Sequence, residues 1–236
     1  MTSASLFAKA SVPAIVTALT LAFAGSASAA SLTQGFDTGV PVGWTVKNNS
    51  VPVGTIAWFQ GGSGTTFAGH AGGQTSYVAA NFNSTGNVGT ISDWLILPSM
   101  SFNAGDMLSF YTRTATGSSW PDRLEVRFSA VGGTDVGGDA ASVGTFTTLL
   151  LSINPGENAG GYPETWTQYS AALGAAANGA IAFRYFVTDG GAAGNNSNFI
   201  GVDTLSITAA VPEPSTYGLM ALGLGVLALR RKQKQA

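Results

Sequence analysis

The chain has 236 residues, no cysteine and a formal net charge of −2. Without cysteine the chain has no disulfide, no thiol nucleophile and no metal site with cysteine ligands. Charged residues make up 9% of the chain, against about 25% in an average soluble protein, and the few basic residues are too dispersed to form a nucleic-acid-binding stripe. The hydrophobic content of 45% is enough for a core and argues against disorder.

The first 29 residues are predicted to be a secretory signal peptide. Lys9 precedes an apolar run, and Ala27-Ser28-Ala29 then fits the small-x-small pattern of a cleavage site. We therefore expect residues 1–29 to be removed during export. An uncleaved membrane anchor is the alternative.

Residues 30–210 are predicted to form one all-β domain, a jelly-roll β-sandwich. Arg123–Phe128 alternates charged and apolar residues with a period of two, which is typical of a strand with one buried and one solvent-facing side. Turn-rich stretches separate roughly ten such candidates, which favours two packed sheets, and Ala171–Ala177 is the one weak helix candidate. The other candidate strands are Gln34–Asp37, Gly43–Val46, Ile56–Phe59, Ser76–Phe82, Trp94–Leu97, Met107–Thr112, Phe146–Ser152, Trp166–Ser170, Ala180–Val187 and Phe199–Thr208.

Segments along nearly the whole of this domain resemble the choice-of-anchor J family, which is related to the cleaved-adhesin domains of bacterial surface proteins. The most specific segment is Ile91–Pro98, with the sequence ISDWLILP. Further matches are Gly35-Phe36-Asp37 near the start and Gly201-Val202-Asp203 near the end. The resemblance implies a jelly-roll sandwich joined to one of several kinds of anchor, and it implies no established enzymatic activity.

Two aspartates are candidates for a calcium site. Asp203 has the same strand parity as Leu205 and Ile207, so a regular strand would point its carboxylate inward. A buried carboxylate needs a partner, which would be an ion, a backbone amide or Arg184, unless a bulge turns the side chain outward. Asp37 ends the opening strand, and the first and last strands of a jelly roll often lie close together. We therefore predict a calcium ion shared by Asp37 and Asp203.

Trp120 is the candidate ligand-binding aromatic residue. It lies in a turn-rich segment beside Asp122, where an exposed indole could stack on the apolar face of a sugar ring, so Trp120 and Asp122 are the predicted ligand-binding residues. A tryptophan folded back as a lid on the core is the alternative. Four other tryptophans lie in strand-like patterns and are predicted to pack in the core: Trp44, Trp58, Trp94 and Trp166.

No catalytic residue is predicted. His70, the only histidine, lies in a glycine-rich stretch, and the chain has no Gly-x-Ser-x-Gly elbow, so a surface histidine is favoured over a catalytic triad. Paired carboxylates of a glycoside hydrolase are the remaining catalytic alternative, and their separation is not readable from the sequence.

Residues 211–236 are predicted to be a sorting signal with a short transmembrane helix. Pro212-Glu213-Pro214 precedes an apolar stretch from Tyr217 to Leu229, and Arg230 and Arg231 follow it. The apolar stretch is shorter than the ~20 residues that a spanning helix needs. The basic residues lie where the positive-inside rule places a cytoplasmic end. The pattern favours a transient span over a permanent single-span anchor.

This tail resembles the PEP-CTERM sorting signal. The resemblance implies processing by an exosortase, a membrane cysteine transpeptidase, in a Gram-negative bacterium that makes extracellular polysaccharide. The resemblance implies that Pro212, Glu213 and Pro214 form the motif that is recognised for sorting. It also implies that Arg230 and Arg231 act as the stop-transfer signal. We therefore expect export, transient anchoring in the inner membrane, and delivery to the outer envelope, cell surface or extracellular matrix.

Taken together, these features favour a non-catalytic surface or matrix protein associated with exopolysaccharide. The alternative is a carbohydrate-binding, adhesin-like module, for which calcium is the one candidate cofactor. Exosortase, extracellular polysaccharide and, transiently, the inner membrane are the expected partners.

Overall fold

The structure is a computed structural model that describes residues 31–62, 66–175, 177–210 and 214–233. Almost all of the described chain up to residue 210 belongs to two antiparallel β-sheets or their connections. This confirms the prediction of an all-β sandwich. The predicted signal peptide, together with Pro212 and Glu213, lies outside the described residues.

The described residues form thirteen strands and one α-helix. They are β1 Leu32–Gln34, β2 Thr45–Asn48, β3 Val51–Val53, β4 Phe59–Gln60, β5 Val78–Asn81, β6 Thr85–Ile96, β7 Met100–Phe102, β8 Met107–Thr114, β9 Leu124–Ser129, β10 Thr148–Ile153, β11 Thr167–Ala172, β12 Ala177–Gly190, β13 Phe199–Thr208 and α1 Pro214–Gln233. A single 3-10 turn, Phe82–Ser84, separates β5 from β6.

The two sheets differ in size and share no strand. The first has six strands in the order β11-β8-β13-β5-β4, and β1 also pairs with β13. The second has seven strands in the order β10-β9-β12-β6-β2, with β3 paired to β6 and β7 paired to β12. Strands far apart in sequence are therefore neighbours in both sheets.

The main core lies between the two sheets and follows the period of two along the strands. Leu124, Val126 and Phe128 on β9 all belong to it, as the alternation predicts. On β12 the inward set is Ile181, Phe183, Tyr185 and Val187, which are buried in the same cluster.

The outer face of the second sheet is partly covered, whereas the alternation predicted a solvent-facing side. The 130–147 loop, which joins β9 to β10, packs Val136 and Phe146 against Trp94 in a separate apolar cluster. Glu125, on the charged side of β9, is only 1% exposed. The alternation in the sequence predicted the direction of each side chain but not this covering loop, because the loop is held by contacts that are distant in sequence.

A second loop covers the outer face of the first sheet. Residues 66–77, called the 66–77 loop below, lead into β5 and place Phe67 and Tyr77 over that face. Phe67 forms an edge-to-face contact with Trp166, with ring centroids 5.5 Å apart. Trp166 is also tied to the loop by its Nε1, which donates to the Ala68 carbonyl over 3.0 Å.

Several element boundaries differ from the predictions. The helix candidate Ala171–Ala177 is wrong: Ala171 and Ala172 end β11, where they pair with Leu108 and Met107 of β8. This tertiary pairing outweighs the helix propensity of alanine. The short strands β3 and β7 were not predicted, and both pair with the ends of long strands.

The described part of the chain contains no helix that is both long enough and apolar enough to cross a membrane.

Candidate functional site

A cleft opens where three connections meet at one end of the sandwich. Trp120 comes from the β8–β9 connection, Phe82 follows β5, and residues 191–198 join β12 to β13. The cavity has a volume of about 190 Å³, and its lining consists of Phe82, Trp120, Gly191, Ala192, Ser197 and Asn198. We call it the Trp120 cleft. Trp120 is 52% exposed, so the structure rejects the alternative of a buried lid on the core.

Local hydrogen bonds hold the Trp120 backbone in place. The Ser118 hydroxyl donates to the Trp120 carbonyl over 2.9 Å and accepts from the Trp120 amide over 3.3 Å. Asn198 Nδ2 donates to the same hydroxyl oxygen over 2.8 Å. The loop that carries the indole is thereby joined to the opposite wall of the cleft.

Asp122 lies beneath the cleft and not on its surface. It is fully buried, and its Oδ1 accepts from the Tyr185 hydroxyl over 2.5 Å and from the Asn198 amide over 2.8 Å. Its Oδ2 accepts from the Thr114 hydroxyl over 2.5 Å. Burial raises the pKa of Asp122, although these hydrogen bonds act in the opposite direction. Of the two predicted ligand-binding residues, only Trp120 is therefore available to a ligand, while Asp122 positions Asn198.

The chemistry of the cleft is apolar and neutral. Two aromatic rings, an amide and a hydroxyl line it, and no charged side chain is among its lining residues. Small-molecule sites usually measure about 300–1,000 Å³, so this cavity suits one end of a ligand. The sequence singled out Trp120 but gave no signal for Phe82 or Asn198, because the three belong to connections that meet only in the fold.

Asp203 lies on the outer face of the first sheet because β13 contains a bulge. Between Asp203 and Ser206 the strand has one residue more than its partner β8, and Thr204 adopts a φ of 48° there. This reverses the parity predicted from Leu205 and Ile207. Two of the alternatives predicted for Asp203 are therefore both found in the structure. A bulge turns the carboxylate outward, and backbone amides are its hydrogen-bond partners.

The amide partners of Asp203 come mainly from the 66–77 loop. Its Oδ2 accepts from the His70 amide over 2.7 Å and from the Ala71 amide over 3.1 Å. Its Oδ1 accepts from the Thr204 amide over 2.5 Å. Burial raises the pKa of Asp203, and these three hydrogen bonds counteract part of that effect. Arg184, the other predicted partner, lies on the second sheet and pairs with Glu125 instead.

Asp37 also lies beside the 66–77 loop. It is exposed, and its Oδ1 lies 2.6 Å from the point where a Cβ on Gly72 would be. The amide hydrogens on Asp203 occupy much of the carboxylate to which a shared ion would bind. Nowhere in the described ranges do three or more histidine or acidic side chains gather in a group that could hold a metal.

His70 is an exposed histidine of the 66–77 loop, as predicted. Its ring stacks on Tyr111 with centroids 3.7 Å apart, and its Nδ1 lies 2.9 Å from the Thr204 hydroxyl oxygen. Both contacts fix the ring against the sheet.

The described part of the sorting tail is the helix α1. It begins at Pro214, a residue whose fixed φ suits the first turn of a helix. Arg230 and Arg231 lie near its end and are exposed. The predicted order of an apolar stretch followed by basic residues is therefore carried on one helix.

Comparison with solved structures shows which known domains share the fold of the β-sandwich. It is similar to the K1 cleaved adhesin domain of Lys-gingipain (Kgp) from Porphyromonas gingivalis W83, with 22% identity and a TM-score of 0.54 over 77% of this chain and 99% of that domain. The K3 cleaved adhesin domain of the same protein matches with 22% identity and a TM-score of 0.54, over 76% of this chain and 98% of that domain. The likeness concerns the fold, which is the one expected of a choice-of-anchor J-like domain. No curated protein matches the chain significantly.

The tail gives the more particular assignment. Residues 210–232 match the PEP-CTERM protein-sorting motif. The protein thus combines a cleaved-adhesin-like β-sandwich with an exosortase-directed surface-sorting signal.

Proposed function

We propose that this protein is a non-catalytic component of the cell surface or extracellular matrix that binds neutral carbohydrate through the Trp120 cleft. The observation that carries the proposal is the exposed indole of Trp120, which lines a cavity that has no charged side chain among its lining residues. Sugar rings present an apolar C–H face and a rim of hydroxyl groups. An aromatic ring beside amide and hydroxyl groups complements both features.

The framework beneath the cleft supports this proposal. Asp122 joins the loop of Trp120 to Asn198 and to Tyr185 of β12 through buried hydrogen bonds. A site that is already rigid loses little conformational entropy when a ligand binds. The cleft is therefore suited to recognise a ring without rearrangement.

The sorting motif supports the proposed location. Exosortase processing would release the chain from the inner membrane to the outer envelope, the cell surface or the matrix of a Gram-negative bacterium. In that setting the partner of the cleft is the exopolysaccharide itself. Association with a biofilm then follows from carbohydrate binding.

Affinity electrophoresis of the full-length protein tests the cleft. We expect native gels that contain neutral polysaccharide, namely dextran, xylan, galactan or a neutral fraction of the host's own exopolysaccharide, to retard the wild type in at least one case. Trp120→Ala should weaken that retardation at least about tenfold, since truncation of a central tryptophan typically costs about 2 kcal/mol or more. Val131→Ala is the matched control, because Val131 is 76% exposed but lies beyond the other end of β9.

Two results would contradict the proposal. One is a wild type that none of these gels retards. The other is a Trp120→Ala variant that is retarded as strongly as the control.

A calcium ion shared by Asp37 and Asp203 remains a prediction, and the amide donors on Asp203 argue against it. Thermal unfolding in calcium and in EDTA tests it. Equal midpoints would contradict the shared calcium ion, whereas a midpoint that calcium raises in the wild type but not in Asp37→Asn would establish it.

A further inference from the structure

Three arginines surround one glutamate on the outer face of the second sheet. Glu125 Oε1 accepts from Arg123 Nη2 over 2.5 Å. Glu125 Oε2 accepts from Arg127 Nε over 2.6 Å and from Arg184 Nη1 over 3.1 Å. We call these four residues the Glu125 cluster. Although burial acts to raise the pKa of Glu125, the hydrogen bond from Arg127 and the three positive charges outweigh it and lower the pKa.

The cluster carries more positive than negative charge. One carboxylate faces three guanidinium groups, which leaves two positive charges in excess. The side chain of Arg184 is 1% exposed, whereas those of Arg123 and Arg127 are 19% and 14% exposed. The pKa of Asp139 is lowered mainly by the hydrogen bonds that its carboxylate accepts from Ser142 and Ala141, and to a smaller extent by the charge of Arg184. Asp139 is solvent-exposed, so it compensates the cluster only weakly.

One polar atom in the cluster and one beside it lack a hydrogen-bond partner within the described residues. In the described part of the chain, three buried side-chain polar atoms have no hydrogen bond, and two of them are Arg123 Nε and Ser152 Oγ. Ser152 on β10 pairs directly with Glu125 on β9, so both side chains project from the same face of the sheet. Buried unpaired donors are rare in native proteins and call for a partner. Here the unpaired donors coincide with the surplus of positive charge.

The arginines of the Glu125 cluster, of which Arg123 and Arg127 reach the surface, are fixed in orientation. Arg123 lies over the Phe186 ring at 4.8 Å, and Arg184 lies over the same ring at 3.7 Å. Arg127 is held at its Nε by Glu125, with its Nη1 3.4 Å from the Phe146 carbonyl oxygen. A guanidinium that is already oriented presents its remaining N–H groups as a fork, which matches the two oxygens of an oxyanion.

We propose that Arg123, Arg127 and Ser152 form a binding site for the oxyanion of an acidic glycan, namely a carboxylate or sulfate substituent. The anion would neutralise the surplus positive charge of a partly buried cluster and provide acceptors for donors that have none. Arg123 is three residues from Trp120, so their Cα atoms lie at most about 11 Å apart. The acidic site is nevertheless chemically separate from the uncharged Trp120 cleft, and it does not depend on the function proposed for that cleft.

Polygalacturonate and its fully methyl-esterified form are the probes. They share one polymer backbone and differ only in the negative charge of the carboxylates, so their comparison measures the effect of that charge. We expect affinity gels with polygalacturonate to retard the full-length protein, and gels with the esterified polymer to retard it much less. Arg123→Gln should weaken the retardation roughly tenfold or more, since a hydrogen bond to a charged group contributes about 1.5–3 kcal/mol. Lys47→Gln is the matched control: Lys47 Nζ donates to the Thr134 carbonyl and makes no ion pair with the cluster.

A milder variant and a small anion keep the test decisive if Arg123→Gln does not fold. Ser152→Ala removes only one hydroxyl and should also weaken retardation by polygalacturonate. Sodium sulfate should raise the melting midpoint of the wild type more than that of Ser152→Ala, at matched ionic strength in sodium chloride. Trp120→Ala should leave the retardation by polygalacturonate in place, which separates this site from the cleft.

Three outcomes would overturn the proposal. Equal retardation by the acidic and esterified polymers would show that the charge is not recognised. If Arg123→Gln and Lys47→Gln weaken the retardation by polygalacturonate equally, the retardation depends on the net charge of the protein and not on the proposed site. Stabilisation by sulfate without any retardation by polygalacturonate would restrict the site to free anions.

Discussion

At the scale of single residues, Asp93 is a buried acid whose ionisation links stability to pH. It lies in the segment ISDWLILP, is fully buried, and has the same strand parity as the core residues Ile91 and Leu95. The Ser84 hydroxyl donates to its Oδ2 over 2.8 Å, and its Oδ1 is the third buried polar atom without a partner in the described residues. Burial raises the pKa of Asp93 from 3.8 to about 8, so the folded protein keeps this side chain protonated at neutral pH.

We expect the stability of the protein to fall as the pH rises from about 4 to about 8. In that window the folded state holds a proton on Asp93 that the unfolded state has released, so the contribution of Asp93 is complete below the unfolded pKa and is lost as the pH approaches the folded pKa. The slope from this one group is at most about 1.4 kcal/mol per pH unit. Urea unfolding at pH 5 and pH 8 measures it.

Asp93→Asn should reduce this pH dependence and be more stable than the wild type at pH 8, because an amide does not ionise. The raised pKa values of Asp122 and Asp203 act in the same direction and leave part of the dependence in place. Asp139→Asn, at an exposed position, should keep the slope of the wild type. Equal slopes in Asp93→Asn and the wild type would assign the pH dependence to other groups.

At the scale of elements, the bulge in β13 decides how the first sheet is covered. It turns the Asp203 carboxylate to the outer face, where it accepts the amides of His70 and Ala71 from the 66–77 loop. One extra residue in a strand therefore determines where a loop more than a hundred residues earlier in the chain is held. The period of two predicted the opposite face for Asp203, since the pattern contains no information about a bulge.

We expect Asp203→Ala to loosen the 66–77 loop. The amides of His70 and Ala71 would lose their acceptor, and the free energy of unfolding should fall by about 2 kcal/mol or more. Hydrogen exchange at these two amides should become faster. Asp37→Asn is the control, because it neutralises an exposed carboxylate beside the same loop; exchange that is equally slow in Asp203→Ala and the wild type would contradict the role of Asp203.

At the scale of the whole molecule, processing at both ends is the main prediction. The intact mass of the protein from its native host should lack residues 1–29 and the residues that follow the Pro-Glu-Pro motif. The host without its exosortase should retain the C-terminal residues. A complete C-terminus in the inner membrane of the normal host would instead show that the tail is a permanent anchor.

Local sequence patterns were sufficient for features that depend on neighbouring residues. The alternation at Arg123–Phe128 identified the inward set of β9, and β13 was predicted with the bounds Phe199–Thr208 that the structure has. The sorting motif was readable because its parts are contiguous in the chain and their order carries the signal. Trp120 could be singled out because its turn-rich surroundings predict exposure.

The tertiary structure alone decided which surfaces are free and which residues meet. Glu125 reads as a solvent-facing residue of a strand, yet the 130–147 loop buries it among three arginines. Phe82, Trp120 and Asn198 form one cleft although they come from three separate connections, and Asp122 lies beneath it. The physical reason is that covering loops, bulges and the meeting of distant connections depend on long-range packing, whereas strand periodicity and a linear sorting signal depend on contacts and order within a few residues.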